Sequence, residues 1–214
     1  MKTILDELKE YANDCIAQRI RSGKKHVWAC QRFLRDLDRV GDADFPYVWD
    51  EVEAEKIVSW FTYLRHSKGV LAGQPIILQP CQKFSLCQIY GWRHAETGLR
   101  RFNKSFKEVS RKNSKSQEES GVALYELACT ATKNGEIAEA YCAGTKRDQS
   151  KIVFQECVNM LRCSPLLLKF KITRDSITHI KTGSFLRPLS KEDGRKGDGT
   201  NPALLVLDRR TCRA

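Results

Sequence analysis

Long apolar runs are missing from this 214-residue chain. No window approaches the roughly 18 uninterrupted apolar residues that a membrane-spanning helix needs. The N-terminus, Met1-Lys2-Thr3-Ile4-Leu5-Asp6-Glu7-Leu8-Lys9, alternates charged with apolar residues where a secretory signal is continuously apolar, so a cytoplasmic location is expected. No CxxC pair occurs among the nine cysteines, at 15, 30, 81, 87, 129, 142, 157, 163 and 212, and their spacing is irregular. That pattern supports neither a zinc ribbon nor a secreted disulfide framework; no metal site is expected from these residues, and most are read as small buried apolar fillers.

Acidic residues are in deficit, 26 Asp+Glu against 37 Lys+Arg, leaving a formal charge of +11 that favours polyanionic partners. The surplus is uneven. Arg93 to Lys115 holds Arg93, Arg100, Arg101, Lys104, Lys107, Arg111, Lys112 and Lys115 against Glu96 and Glu108, a local balance of +6. Taken singly, most of these residues read as a solvated basic face. Together they attract nucleic acid without specifying its kind.

A hydrophobic fraction of 41% is enough for one core and a small second unit. Over the first sixty-five residues apolar side chains recur at three and four: Ile4, Leu8, Tyr11, Ala12 and Cys15, then Val27, Cys30, Phe33, Leu34 and Leu37, then Val48, Val52, Ile57, Trp60, Phe61 and Leu64. Residues 1–65 are therefore expected to be a helical N-terminal region, with Trp28, Trp49 and Trp60 in core packing. From His66 the texture changes, with Gly69, Gly73 and Pro75 breaking helix and Pro80 able to open a new one. A strand is expected to end at Lys107-Glu108-Val109, with helices over Ser116–Cys129 and Gln149–Cys163. Further strands are expected at Ile137–Ala143, around Lys169–Thr173 and around Ile177–Lys181, and a central parallel strand at Ala203–Leu207. This alternation predicts an α/β doubly wound domain over 66–214, with ligands at the carboxyl ends of its strands.

Between the expected strand at Val109 and the next helix sits Ser110-Arg111-Lys112-Asn113-Ser114-Lys115-Ser116. A phosphate loop needs backbone N–H groups at a helix N-terminus, a Lys for the terminal phosphates and a neighbouring hydroxyl for Mg²⁺. Lys115-Ser116 supplies the last two, but Val109 and Ser114 stand where G-x-x-x-x-G-K-[ST] has glycine. A basic strand-to-helix turn accounts for these residues about as well.

Ordered blocks add a context: Ile77-Leu78-Gln79-Pro80-Cys81-Gln82-Lys83-Phe84, Ile89-Tyr90-Gly91-Trp92, Gly98 to Phe102, Glu108 to Ser116, Tyr141 to Ser150, Ser164-Pro165, Asp198 to Pro202 and the strand Ala203–Leu207. The series resembles the ATPase region of tailed-bacteriophage terminase large subunits over nearly the whole chain. The resemblance implies an incomplete P-loop (ASCE-type) doubly wound parallel sheet behind the helical lead, with ATP and Mg²⁺ as cofactors. Gln82 would read adenine and Arg111, Lys112 and Asn113 would wrap the phosphates. Ser114 would occupy the family's glycine position, Lys115 would contact the β and γ phosphates, and Ser116 with Asp208 would hold Mg²⁺. Thr145 and Gln149 match a block near nucleotide and DNA. The implied partners are double-stranded DNA, the small terminase subunit and the portal, in a bacterial host cell.

Two departures stand out. Ser114 carries a Cβ where positive φ and close approach favour glycine, so weak ATP binding is expected. Leu207-Asp208 is followed by Arg209 where the family has Glu, so no catalytic residue is assigned and hydrolysis is expected to be impaired. The ending Asp208 to Ala214 is expected to reflect a frameshifted, truncated copy without the nuclease domain, exposing apolar sheet surface. The alternative reading is a non-catalytic basic fragment that binds DNA or a partner.

Overall fold

The computed structural model describes residues 2–110, 113–144, 147–189 and 201–208, with backbone only for 147–149 and 208. The chain divides into two units, Met1–Trp60 with Ile77–Glu108, and Phe61–Ile76 with Val109–Ala214.

Thr3 opens the first unit. Its hydroxyl accepts from the Asp6 N–H while the Asp6 carboxylate accepts from the Thr3 N–H, both at 3.1 Å, which satisfies two donors that helix α1 (Ile4–Ile16) would otherwise leave open. The apolar stripe of α1 buries Leu8, Tyr11, Ala12 and Cys15, and α2 (Lys24–Asp38) packs beside it with Cys30 and Phe33 inward. Two three-residue strands, β1 (Tyr47–Trp49) and β2 (Trp92–His94), pair antiparallel with Trp49 opposite Trp92. They are too short for a period of two to register in the sequence. Helix α3 (Glu51–Tyr63) follows β1, and α4 (Pro80–Gly91) starts on Pro80 as expected, since the missing N–H costs nothing in a first turn.

The core joins these pieces through edge-to-face aromatics: Phe33 lies 5.5 Å from the rings of Trp49 and Phe84 and 6.4 Å from that of Trp92. Gly91 is required by this packing, because a Cβ there would lie 2.8 Å from the Trp49 ring. Trp60 is buried, but Trp28 is 54% exposed with Lys24 Nζ 5.0 Å over its ring. The expectation of core packing fails for Trp28 because it falls outside the stripe of α2.

In the second unit a five-stranded sheet runs in the order β4-β5-β6-β3-β7, with β3 Glu139–Gly144, β4 Phe170–Ile172, β5 Ile177–His179, β6 Phe185–Pro188 and β7 Pro202–Asp208. β3 is parallel to both β6 and β7, and three successive residues, Ala140, Tyr141 and Cys142, are buried, as both-face burial demands. β4, β5 and β6 form an antiparallel meander, because the connections between them are too short for a parallel crossover. The sheet is therefore mixed, not wholly parallel. β7 was expected to be central but ends the strand order among the described residues, and Leu205 and Leu207 are exposed on it.

Helix α7 (Arg147–Arg162) lies against β3 and β6, and α5 (Lys115–Tyr125) packs against α7. Ser120 joins the two helices: its hydroxyl lies 2.7 Å from the Ser116 carbonyl and 3.0 Å from the Val153 carbonyl, in a fully buried position. The expected helix over Ser116–Cys129 is present but passes through a π-helical turn at Glu126–Thr130 before α6 (Ala131–Asn134).

Candidate nucleotide-binding site

The chain entering the Lys115 turn carries no regular structure from Phe102 to Ser110, so the strand expected at Lys107–Val109 is not formed. A strand exists by pairing, and no described strand lies alongside this segment. Its apolar alternation does not share one core face: Phe102 packs against the core of the first unit, but Phe106 is 81% exposed. Arg111 and Lys112 lie outside the described residues. Beyond them Asn113 turns back, its Nδ2 donating to the Ser110 carbonyl at 3.1 Å.

Ser114 is the N-cap of α5 and sits in the left-handed region, φ 52 and ψ 23. This is the conformation in which glycine is free of strain and serine is not. Its carbonyl accepts the Glu118 N–H at 3.0 Å, so the helix starts at Lys115 and places Lys115 and Ser116 in the first turn. The positive end of the helix dipole at that turn suits an anion.

Asp208 closes β7 and pairs in register with Gly144 at the end of β3. α5 and β7 are in contact within the same unit. The donor types fit Mg·ATP: hydroxyl and carboxylate oxygens suit a hard cation that keeps phosphate and water ligands, and lysine suits phosphate. Gln82 belongs to the first unit, where its Oε1 accepts the Gln79 N–H at 2.9 Å in the first turn of α4. Thr145 and the side chain of Gln149 lie outside what the structure describes.

Two members of the basic window are not surface charges. Arg93 pairs with Glu53 at 2.9 Å with both side chains largely buried. Arg101 pairs with Asp36 at 2.9 Å, and its guanidinium lies within 5.4 Å of the ring centres of Phe45, Tyr47, Trp92 and Phe102. The reading of a solvated basic face is corrected for both; only tertiary packing reveals that their partners lie 40 and 65 residues away. A cleft of about 260 Å³ in the same unit is lined by Glu7, Glu10 and Asp14 with a single lysine, Lys83, a charge balance that repels a triphosphate. Burial pushes the Cys87 and Cys142 thiols up to about 12, so neither is a thiolate nucleophile at neutral pH.

The family model described as "Terminase large subunit, ATPase domain" matches residues 80–211, more than half of the chain. The chain belongs to the terminase large subunit ATPase family. Among solved structures, the fold is similar to the crystal structure of the HK97 bacteriophage large terminase, with a TM-score of 0.56 and 22% identity. That likeness covers 72% of this chain and 30% of the HK97 chain. No curated protein matches the sequence. The matched residues contain the whole Ser110–Ser116 stretch and Asp208, so the terminase family assignment and the turn at Ser114 concern the same part of the molecule. Among the described residues no helix is long and apolar enough to cross a membrane.

Proposed function

We propose that this chain is part of a phage or prophage terminase large subunit, the ATP-driven motor that packages duplex DNA into a procapsid. In this reading residues 1–65, helical apart from the short strand β1, form the lead and 66–214 belong to a P-loop ATPase core of ASCE type, with β7 as its acidic metal-binding strand. Lys115 holds the β and γ phosphates, Arg111, Lys112 and Asn113 surround them, Gln82 reads the base, and Ser116 with Asp208 holds Mg²⁺. Bound Mg·ATP supplies the phosphoryl group whose transfer to water drives the motor. Double-stranded DNA, the small terminase subunit and the portal are the partners, in the cytoplasm of a bacterial host.

The observation that carries this reading is the family match across residues 80–211, which spans both Lys115-Ser116 at the start of α5 and Asp208 at the end of β7. Hydrolysis is impaired in this reading, because Arg209 follows Asp208 where the family has a water-orienting Glu. A guanidinium has no acceptor and stays charged, so it cannot take a proton from water.

Calorimetric titration of the full chain with Mg·ATP tests the proposal. Weak binding is expected, tightened by Ser114→Gly and lost in Lys115→Ala, with turnover at background. Micromolar affinity that Ser114→Gly does not improve would contradict the role given to Ser114. Salt-dependent DNA binding that ignores both nucleotide and Lys115→Ala would select the non-catalytic DNA-binding alternative.

A further inference from the structure

Helices α1 and α2 carry matched pairs of donor side chains one turn apart, Tyr11 with Cys15 and His26 with Cys30. Spacing of four places each pair on one helix face, and the two helices pack together. One ligand atom each from Cys15, His26 and Cys30 lies within 4.8 Å of the others. The Tyr11 hydroxyl adds a fourth group, 3.0 Å from His26 Nε2. Cys15 and Cys30 are wholly buried, while His26 is only partly so.

We propose that Cys15, His26 and Cys30 form a binding site for a thiophilic divalent cation, Zn²⁺ by its donor set, with Tyr11 beside the fourth position. Two thiolates and an imidazole are a ligand set that zinc accepts and that magnesium and calcium do not. Thiolate at about 2.3 Å and imidazole at about 2.0–2.1 Å around a tetrahedral ion set the donor atoms roughly 3.5–3.8 Å apart. The cluster is near that size already, so side-chain rotation rather than helix movement closes it. Binding releases one proton from each thiol to solvent, and the two thiolates then balance the charge of the ion. Tyr11 and His26 pack against each other and against Phe84, and the two sulfurs that meet them there complete a donor set that aromatic packing alone does not require. The site lies apart from Lys115 in sequence and chemistry and does not depend on nucleotide binding. It would pin α1 to α2.

The test uses the full chain, purified with reductant and stripped of metal, without nucleotide. Zinc is titrated in competition with a chromophoric chelator, and cobalt is used as a spectroscopic substitute. One zinc per chain and a thiolate-to-cobalt charge-transfer band are expected. His26→Gln and Cys30→Ser should each weaken zinc binding tenfold or more, while Cys163→Ser, which changes an exposed thiol, should leave it unchanged. Far-UV circular dichroism of the apo variants separates loss of binding from loss of fold, and His26→Gln leaves both thiols in place should Cys30→Ser fail to fold. Folded apo protein that takes up no zinc overturns the proposal. So does a charge-transfer band that survives Cys15→Ser and Cys30→Ser together.

Discussion

Arg101 donates from Nη1 to Asp36 Oδ2 at 2.9 Å, and both side chains are largely withdrawn from solvent. A pair of this kind is costly to break from one side, because the remaining charge stays buried with weaker compensation, for Asp36 the more distant Arg32 at 4.0 Å. Asp36→Ala and Arg101→Ala are each expected to lower unfolding stability by about 3 kcal/mol, and Asp36→Leu with Arg101→Met by much less than the sum. Urea denaturation measures all three. If Arg101→Ala instead left stability intact and reduced the salt slope of DNA binding by about one unit, the residue would belong to a DNA surface after all.

Ser114 holds φ 52 at the start of α5, a region that costs an L-residue roughly 1–2 kcal/mol and a β-branched residue more. Ser114→Gly relieves that strain but adds freedom to the unfolded chain, so its effect on stability should be small. Ser114→Val should cost roughly 1–2 kcal/mol on the same reasoning. Thermal unfolding of the two variants compares them directly. Equal tolerance of valine and glycine would mean that the turn does not use the left-handed region.

Gly121 faces Phe61 so closely that a Cβ would come 2.3 Å from the ring. The ring must move if alanine replaces glycine, and overpacking of this kind costs roughly 1–3 kcal/mol. Gly121→Ala is expected to fall in that range, with Phe61→Leu restoring part of the loss in the double variant. A Gly121→Ala protein as stable as the parent would show that the two elements do not pack in this register.

His179 is buried, its Nδ1 2.9 Å from the Thr182 hydroxyl. Burial holds its pKa below the ordinary imidazole value, and the charges of Lys169 and Lys181 push the same way. The unfolded chain therefore takes up this proton first as pH falls. Stability contributed by the neutral ring is complete above about pH 6.5 and is lost as pH drops from there through the depressed folded value. Unfolding curves between pH 7.5 and pH 5 should show this decline (roughly the imidazole range), and His179→Gln should flatten it. An unchanged slope in the variant would assign the pH dependence elsewhere.

The helices were legible because their signal is local. The recurrence of Leu8, Tyr11, Ala12 and Cys15 states a buried face without reference to the rest of the chain, and Pro80 marks its helix start by what it lacks. The family blocks were legible for the same reason: Lys115-Ser116 and Asp208 are adjacent-residue chemistry. Strands were legible only in part: β3, β4, β5 and β7 form where strands were expected, but which segments find a partner was not readable from the residues. Lys107-Glu108-Val109 has strand-like residues and no neighbour to bond, whereas Phe185–Pro188, placed in no strand from its residues, is held by β3 and β5.

The sequence by itself determined the helical faces, the terminase family and the identity of the residues at the proposed phosphate turn, because periodicity and short motifs are written within a few positions. Tertiary structure alone decided that Ser114 takes a left-handed backbone, that Arg93 and Arg101 turn inward to buried carboxylates, and that Cys15, His26 and Cys30 meet. Each of these rests on contacts or backbone angles that spacing along the chain does not encode.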